Sequence, residues 1–157
     1  MFSSKSYTVE QALSKMQRYC SYQERCHAEV RKKLVEMHMI ADAIDHIIVQ
    51  LIRQDYLNES RFVAIYVRSK FNQKKWGRNR LKQELKIRDI SPILIKKELS
   101  AISEEIYLNT LDELSTKRLL QIKESNVFKK RKKLADYLLY RGWESHLVYE
   151  KVKELIP

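Results

Sequence analysis

Ile44, Ile48 and Leu51 stand four and then three residues apart, and the same spacing returns at Ile95, Leu99 and Ile102 and at Val148, Val152 and Leu155. Such spacing stacks three apolar side chains on one stripe of a helix. A second motif precedes each stripe: Val30 and Leu34, Leu81 and Leu85, Leu134 and Leu138. Laid over one another at offsets of 51 and 53 residues, the three copies share a sixth apolar column between the two motifs, filled by Met39, Ile90 and Trp143. With 44% apolar residues in the chain, eighteen apolar matches in eighteen positions arise by chance on the order of once in a million. The chain is a repeat of about fifty residues, each copy built from helices.

Between the two motifs of each copy lies a short break. In the second copy it reads RDISP, where Ser91 suits an N-cap and Pro92 the first helical turn. In the third it reads YRGWES, where Gly142 can take the left-handed conformation that ends a helix and Ser145 can cap the next. The first copy has neither Gly nor Pro at this place. Thr8 with Gln11 and Ser21 with Glu24 form capping-box patterns, which adds a helix in front of each pair. The pattern predicts helices at 8–20, 22–38 and 42–54, at 59–75, 78–88 and 92–102, and at 104–124, 127–140 and 145–155. The predicted fold is all-α: a tandem array of three three-helix repeats, 1–58, 59–103 and 104–157, elongated and open to curvature. Only two glycines and two prolines in 157 residues agree with a chain poor in turns.

Charge is concentrated in the middle of the chain. Residues 1–59 are neutral, residues 60–99 carry a net +9 and residues 100–157 a net +2, out of +11 overall. Such polarisation points to a polyanionic or acidic partner. The candidate contacts are Arg68, Lys70, Lys74, Lys75, Arg78, Arg80, Lys82 and Arg88 in the second repeat and Lys129, Lys130, Arg131, Lys132 and Lys133 in the third. Arg78 and Lys82 share a helix face that Leu81 and Leu85 avoid, so this helix reads as apolar inside and basic outside. The five-residue basic run sits against the macrodipole at a helix start. Gly77, beside the basic run, reads either as a plain helix break or as a site of close backbone approach. Tyr66, Tyr137 and Tyr140 lie near basic residues, but helical spacing favours packing over base stacking.

Catalysis and metal binding find little support. Cys20, Cys26 and His27 lack the paired CxxC of a zinc site, two glycines cannot form a phosphate loop, and no nucleophile–base set stands out. No cofactor or metal is expected. The polar start, MFSSKSYTVEQ, lacks the apolar core of a signal peptide, and Asp42 and Asp45 interrupt the most apolar stretch, so no membrane span is expected. Two cysteines make no disulfide framework, in keeping with a cytoplasmic protein.

Residues 51–99 resemble the central region of the RecX family of bacterial recombination regulators. The likeness runs through Tyr56-Leu57, Arg61-Phe62, Ala64, Tyr66-Val67, Lys75, Gly77, Arg80-Leu81, Glu84-Leu85, Ile90 and Ile95. KKLADYLLYRGWESHLVYEKVKEL (132–155) resembles the family's last repeat. The chain departs from the family at Asn58-Glu59, where an aspartate pair is usual, and at Asp89, often glycine. The resemblance implies tandem three-helix repeats and a cytoplasmic, non-catalytic regulator; a monomer is expected. It would bind along the groove of the RecA recombinase filament and curb recombinase, ATPase and strand-exchange activity in homologous recombination, DNA repair and the SOS response. Single- or double-stranded DNA would be a further partner. The alternative is a direct DNA binder that uses the tight turn of the second repeat as a helix-turn-helix.

Overall fold

The structure is a computed structural model that describes residues 6–157, so the first five residues of the polar N-terminal stretch lie outside the described residues. Among the described residues there are nine α-helices and no strand, in three successive sets of three. They are α1 (Val9–Tyr22), α2 (His27–Glu36), α3 (Ala41–Arg53), α4 (Glu59–Ser69), α5 (Arg78–Ile87), α6 (Pro92–Ser100), α7 (Glu104–Gln121), α8 (Val127–Tyr140) and α9 (Ser145–Leu155). A single π-helical turn, Lys70–Lys74, extends α4. The chain divides into two compact units, residues 1–65 with 88–90 and residues 66–87 with 91–157.

The repeated columns are the core. All eighteen positions are buried except Met39, Ile102 and Leu155, which are half-buried. The sixth column has a specific geometric role. After α2, His38 adopts φ +60°; its N–H donates to Val35 O (2.9 Å) and the Met39 N–H to Leu34 O (3.1 Å). After α8, Gly142 adopts φ +91°; its N–H donates to Leu139 O (3.0 Å) and the Trp143 N–H to Leu138 O (3.2 Å). Both are Schellman caps, and the apolar column is the residue just past the left-handed one, which folds back over the helix end. At the matching place in the second repeat Asp89 stands at φ +56°. Asp is among the few non-glycine residues that tolerate this region, so the turn forms here without a glycine.

In the first unit Ala12, Met16 and Cys20 of α1, Val30 and Leu34 of α2 and Ile44, Ile47, Ile48 and Leu51 of α3 form one cluster, closed by Leu57. The Thr8–Gln11 capping box is present, with Gln11 N donating to Thr8 Oγ1 at 3.1 Å and Thr8 N to Gln11 Oε1 at 3.0 Å. The Ser21–Glu24 box is not. Ser21 lies in the last turn of α1 and donates its hydroxyl to Gln17 O (2.8 Å), while Glu24 is drawn to Arg61 Nε (2.6 Å). Helix α2 therefore starts later, with Cys26 as N-cap and its N–H donating to Glu29 Oε1 at 3.3 Å. Asn58 does serve the start of α4: its Oδ1 accepts from Arg61 N at 2.9 Å. In the third repeat the cap of α9 is Glu144, and Ser145 is the first helical residue.

Cys20 and Cys26 are free and buried. Burial pushes their thiols up, to about 11 and about 12. At pH 8 the buried Cys20 thiol holds far less reactive thiolate than an exposed one. Ellman's reagent should therefore label the native chain slowly and both thiols at once in guanidinium; rapid labelling of the native chain would contradict this environment.

Candidate partner-binding surface

The most basic part of the chain is also where the second and third repeats are joined backbone to backbone. Gly77 N–H donates to Arg141 O (2.8 Å) and Asn79 N–H to Gly142 O (2.9 Å). The Trp143 indole Nε1 donates to Lys75 O (3.0 Å), and Arg141 Nη1 to Lys74 O (3.0 Å). Lys75 itself adopts φ +57°, which ends the π turn and aims its carbonyl at Trp143. A β-carbon on Gly77 would lie 2.5 Å from Gly142 O and 2.6 Å from Trp143 Cα. Gly77 is thus a site of close approach, and what approaches is the chain's own third repeat.

Next to this seam sits a polar cluster inside an aromatic setting. The Tyr107 ring lies 4.5 Å from that of Trp143 and 6.0 Å from that of Phe71. Its hydroxyl donates to Glu144 Oε1 and accepts from Arg78 N (2.9 Å). The Arg78 guanidinium stands 3.7 Å from the Tyr107 ring centroid and bridges Glu104 (2.6 Å) and Glu144 (3.0 Å). Burial works against the Arg78 cation, but the two carboxylates outweigh it and its pKa is raised. Burial and Glu144 likewise push the Tyr107 phenol well above its usual value.

The predicted contacts therefore fall into groups. Arg78 and Arg80 are turned into the seam. Arg80 Nη1 donates to Tyr140 O (3.2 Å), and its guanidinium lies over Trp76 (4.5 Å) and Tyr140 (5.0 Å). Lys70 sits over Tyr66 and Trp76. In the run 129–133, Arg131 donates to Ile156 O (2.9 Å), Lys132 pairs with Asp136 (2.6 Å) and Lys133 with Glu124 (3.3 Å). The unfavourable macrodipole placement is offset on the spot: Asn126 caps α8, and Glu124 accepts from Asn126 N and Lys133. These two donors hold the Glu124 carboxyl below its usual value. Arg68, Lys74, Lys75, Lys82 and Lys129 are exposed, while Lys130 and Arg88 are half-buried. Lys82 lines a groove of about 890 Å³ along α5 and α6, together with Lys86 and Lys96. Tyr66 and Tyr137 are packed as their spacing suggested, whereas the Tyr140 ring is largely exposed.

Two family models match this chain: the RecX second three-helix domain over residues 58–99 and the RecX third three-helix domain over residues 104–152. The chain belongs to the RecX family. Among its relatives is the regulatory protein RecX of Clostridium acetobutylicum, 30% identical over 131 residues, covering 81% of this chain and 60% of the relative. That of Limosilactobacillus reuteri is 26% identical over 147 residues, covering 93% and 55%. The chain thus spans little more than half the length of these RecX relatives. A crystal structure of regulatory protein RecX superposes with a TM-score of 0.83 at 25% identity, covering 93% of this chain and 73% of that one. RecX from Lactobacillus salivarius, at 24% identity, shares the fold with a TM-score of 0.80 over 94% and 96% of the two chains. Both matched RecX domains carry one glycine of the seam, Gly77 in one and Gly142 in the other. Among the described residues no helix is long and apolar enough to cross a membrane.

Proposed function

We propose that this chain is a non-catalytic regulator of the RecA recombinase. It binds the RecA–DNA filament through the exposed cations of its second and third repeats and lowers recombinase, ATPase and strand-exchange activity. The match of residues 58–99 and 104–152 to two consecutive RecX domains is the observation that supports this most directly. The repeats 1–58, 59–103 and 104–157 act as successive binding modules, in the cytoplasm and as a monomer. The exposed cations available for this are Arg68, Lys74, Lys75, Lys82 and Lys129, with the half-buried Lys130 beside them; Arg78 and Arg80 hold the repeats together instead. The test adds the chain to RecA, single-stranded DNA and ATP and follows phosphate release and strand exchange. Both should slow at stoichiometric amounts, and no effect at such amounts sinks the proposal. Lys82→Glu with Lys129→Glu should weaken capture by the filament and flatten its salt dependence without changing the melting curve.

The helix-turn-helix alternative has less support. A recognition helix reads bases with its N-terminal side chains. In α6 those are Pro92, Ile93 and Leu94, which carry no hydrogen-bonding group for a base edge.

A further inference from the structure

Several cations of the second unit have carboxylate partners: Arg78 faces Glu104 and Glu144, Arg80 faces Glu84, Lys132 faces Asp136, Lys133 faces Glu124 and Lys151 faces Asp112. One concavity is different. Lys74 and Lys75 from the end of the π turn, Lys117 and Arg118 from α7 and Arg141 from the end of α8 line a single cradle of about 380 Å³ with Tyr137. No carboxylate is among the residues that line it. Three of these five cations, Lys117, Arg118 and Arg141, are absent from the charge clusters that stand out along the sequence. Lys117 and Arg118 are neighbours in the chain, and this pair meets Arg141 and the Lys74-Lys75 pair only through folding.

The two guanidiniums are fixed by neutral groups. Both lie 4.5 Å from the Tyr137 ring centroid. Arg141 Nη1 donates to Lys74 O at 3.0 Å and Arg118 Nη1 to Gln121 Oε1 at 3.4 Å. A carbonyl and an amide orient an arginine without neutralising it. The Nε–H of each is out of solvent and has no acceptor among the described residues. A guanidinium offers five donors, so most of this donor capacity is unspent. Side chains held in place before a ligand arrives lose less freedom on binding it. The exposed Lys74, Lys75 and Lys117 add mobile charge at the rim.

We infer that this cradle is an oxyanion site that seats the phosphodiester backbone of a nucleic acid. A single protein carboxylate brings one charge against five cations. A nucleic-acid strand brings a phosphate per nucleotide and reads no sequence through such contacts, which suits a pocket of arginines and lysines without base-reading groups.

The test binds the full chain to a fluorescent single-stranded 30-mer, in the absence of RecA and nucleotide, so that its outcome is independent of the function proposed above. Lys117→Gln is the first variant, because the side chain is exposed and its loss leaves the fold intact; Lys117→Gln/Arg118→Gln is the second, with circular dichroism as the folding check. Each lost phosphate contact should weaken binding roughly fivefold near 0.1 M salt and lower the salt slope by about 0.7. The double variant Lys97→Gln/Lys123→Gln removes two exposed cations elsewhere and should cost less than Lys117→Gln alone. Equal losses in the two double variants would show diffuse charge and overturn the site. So would an oligonucleotide affinity left unchanged by Lys117→Gln/Arg118→Gln.

Discussion

Gly77→Ala destabilises the second unit by roughly 3 kcal/mol or more, as judged from the cost of forcing atoms into a packed interior. The expectation rests on what the new methyl meets. Gly142 O, Gly142 C and Trp143 Cα, all within 2.6 Å of it, are backbone atoms, not the tips of side chains that could swing aside. Relief requires the second and third repeats to separate. That separation breaks the hydrogen bonds from Gly77 N to Arg141 O and from Asn79 N to Gly142 O, and loosens the Trp143 indole from Lys75 O. Gly142→Ala should be at least as costly, because φ +91° is added to a clash of the new methyl with Arg80 N and Arg80 Cβ. Both tryptophans of the chain, Trp76 and Trp143, lie at this seam, so urea unfolding followed by tryptophan fluorescence reports on it directly. The exposed Gln83→Ala on α5 is the control and should unfold with the parent. A Gly77→Ala midpoint equal to the parent's would mean that the seam is not a close contact in solution.

The helices were legible in the sequence because their cause is local. The i, i+4, i+7 stripes, the Thr8 box and the Ser91-Pro92 start each act within a few residues, and they recur in the structure close to where the pattern placed them. The Ser21–Glu24 box failed for a non-local reason: Arg61, thirty-seven residues on, claims the Glu24 carboxylate, and α1 runs on through Ser21. The column of Met39, Ile90 and Trp143 was visible as apolar, but its meaning was hidden. Its cause is a left-handed residue before it, and His38 and Asp89 do not announce that conformation as Gly142 does. The basic surface was the least legible part. Sequence density finds Arg78 and Arg80 and misses Lys117 and Arg141, whereas partners decide which charge is free, and Glu104 and Glu144 lie 26 and 66 residues from Arg78. A glycine in each of two repeats was a usable hint that their backbones meet, although neither glycine names the other.

The distinction between a charge that binds and a charge that holds can be tested at Arg78. Arg78→Glu should destabilise the second unit by about 3 kcal/mol, since removing one member of a partly buried ion pair strands the others. Glu144 would keep only the Tyr107 hydroxyl, and the incoming carboxylate would face Glu104 and Glu144 in place of the cation that now bridges them. Arg78→Gln should cost less, because it removes the cation without adding repulsion. Lys82→Glu, one turn on along α5 and exposed, should leave the unfolding midpoint where it was. If Lys82→Glu weakens capture by the RecA filament while the chain stays folded, and Arg78→Glu weakens it only in proportion to the unfolded fraction, then Arg78 acts through the fold and Lys82 through the partner. A stable Arg78→Glu protein that has lost filament binding would reverse that order and put Arg78 on the binding surface.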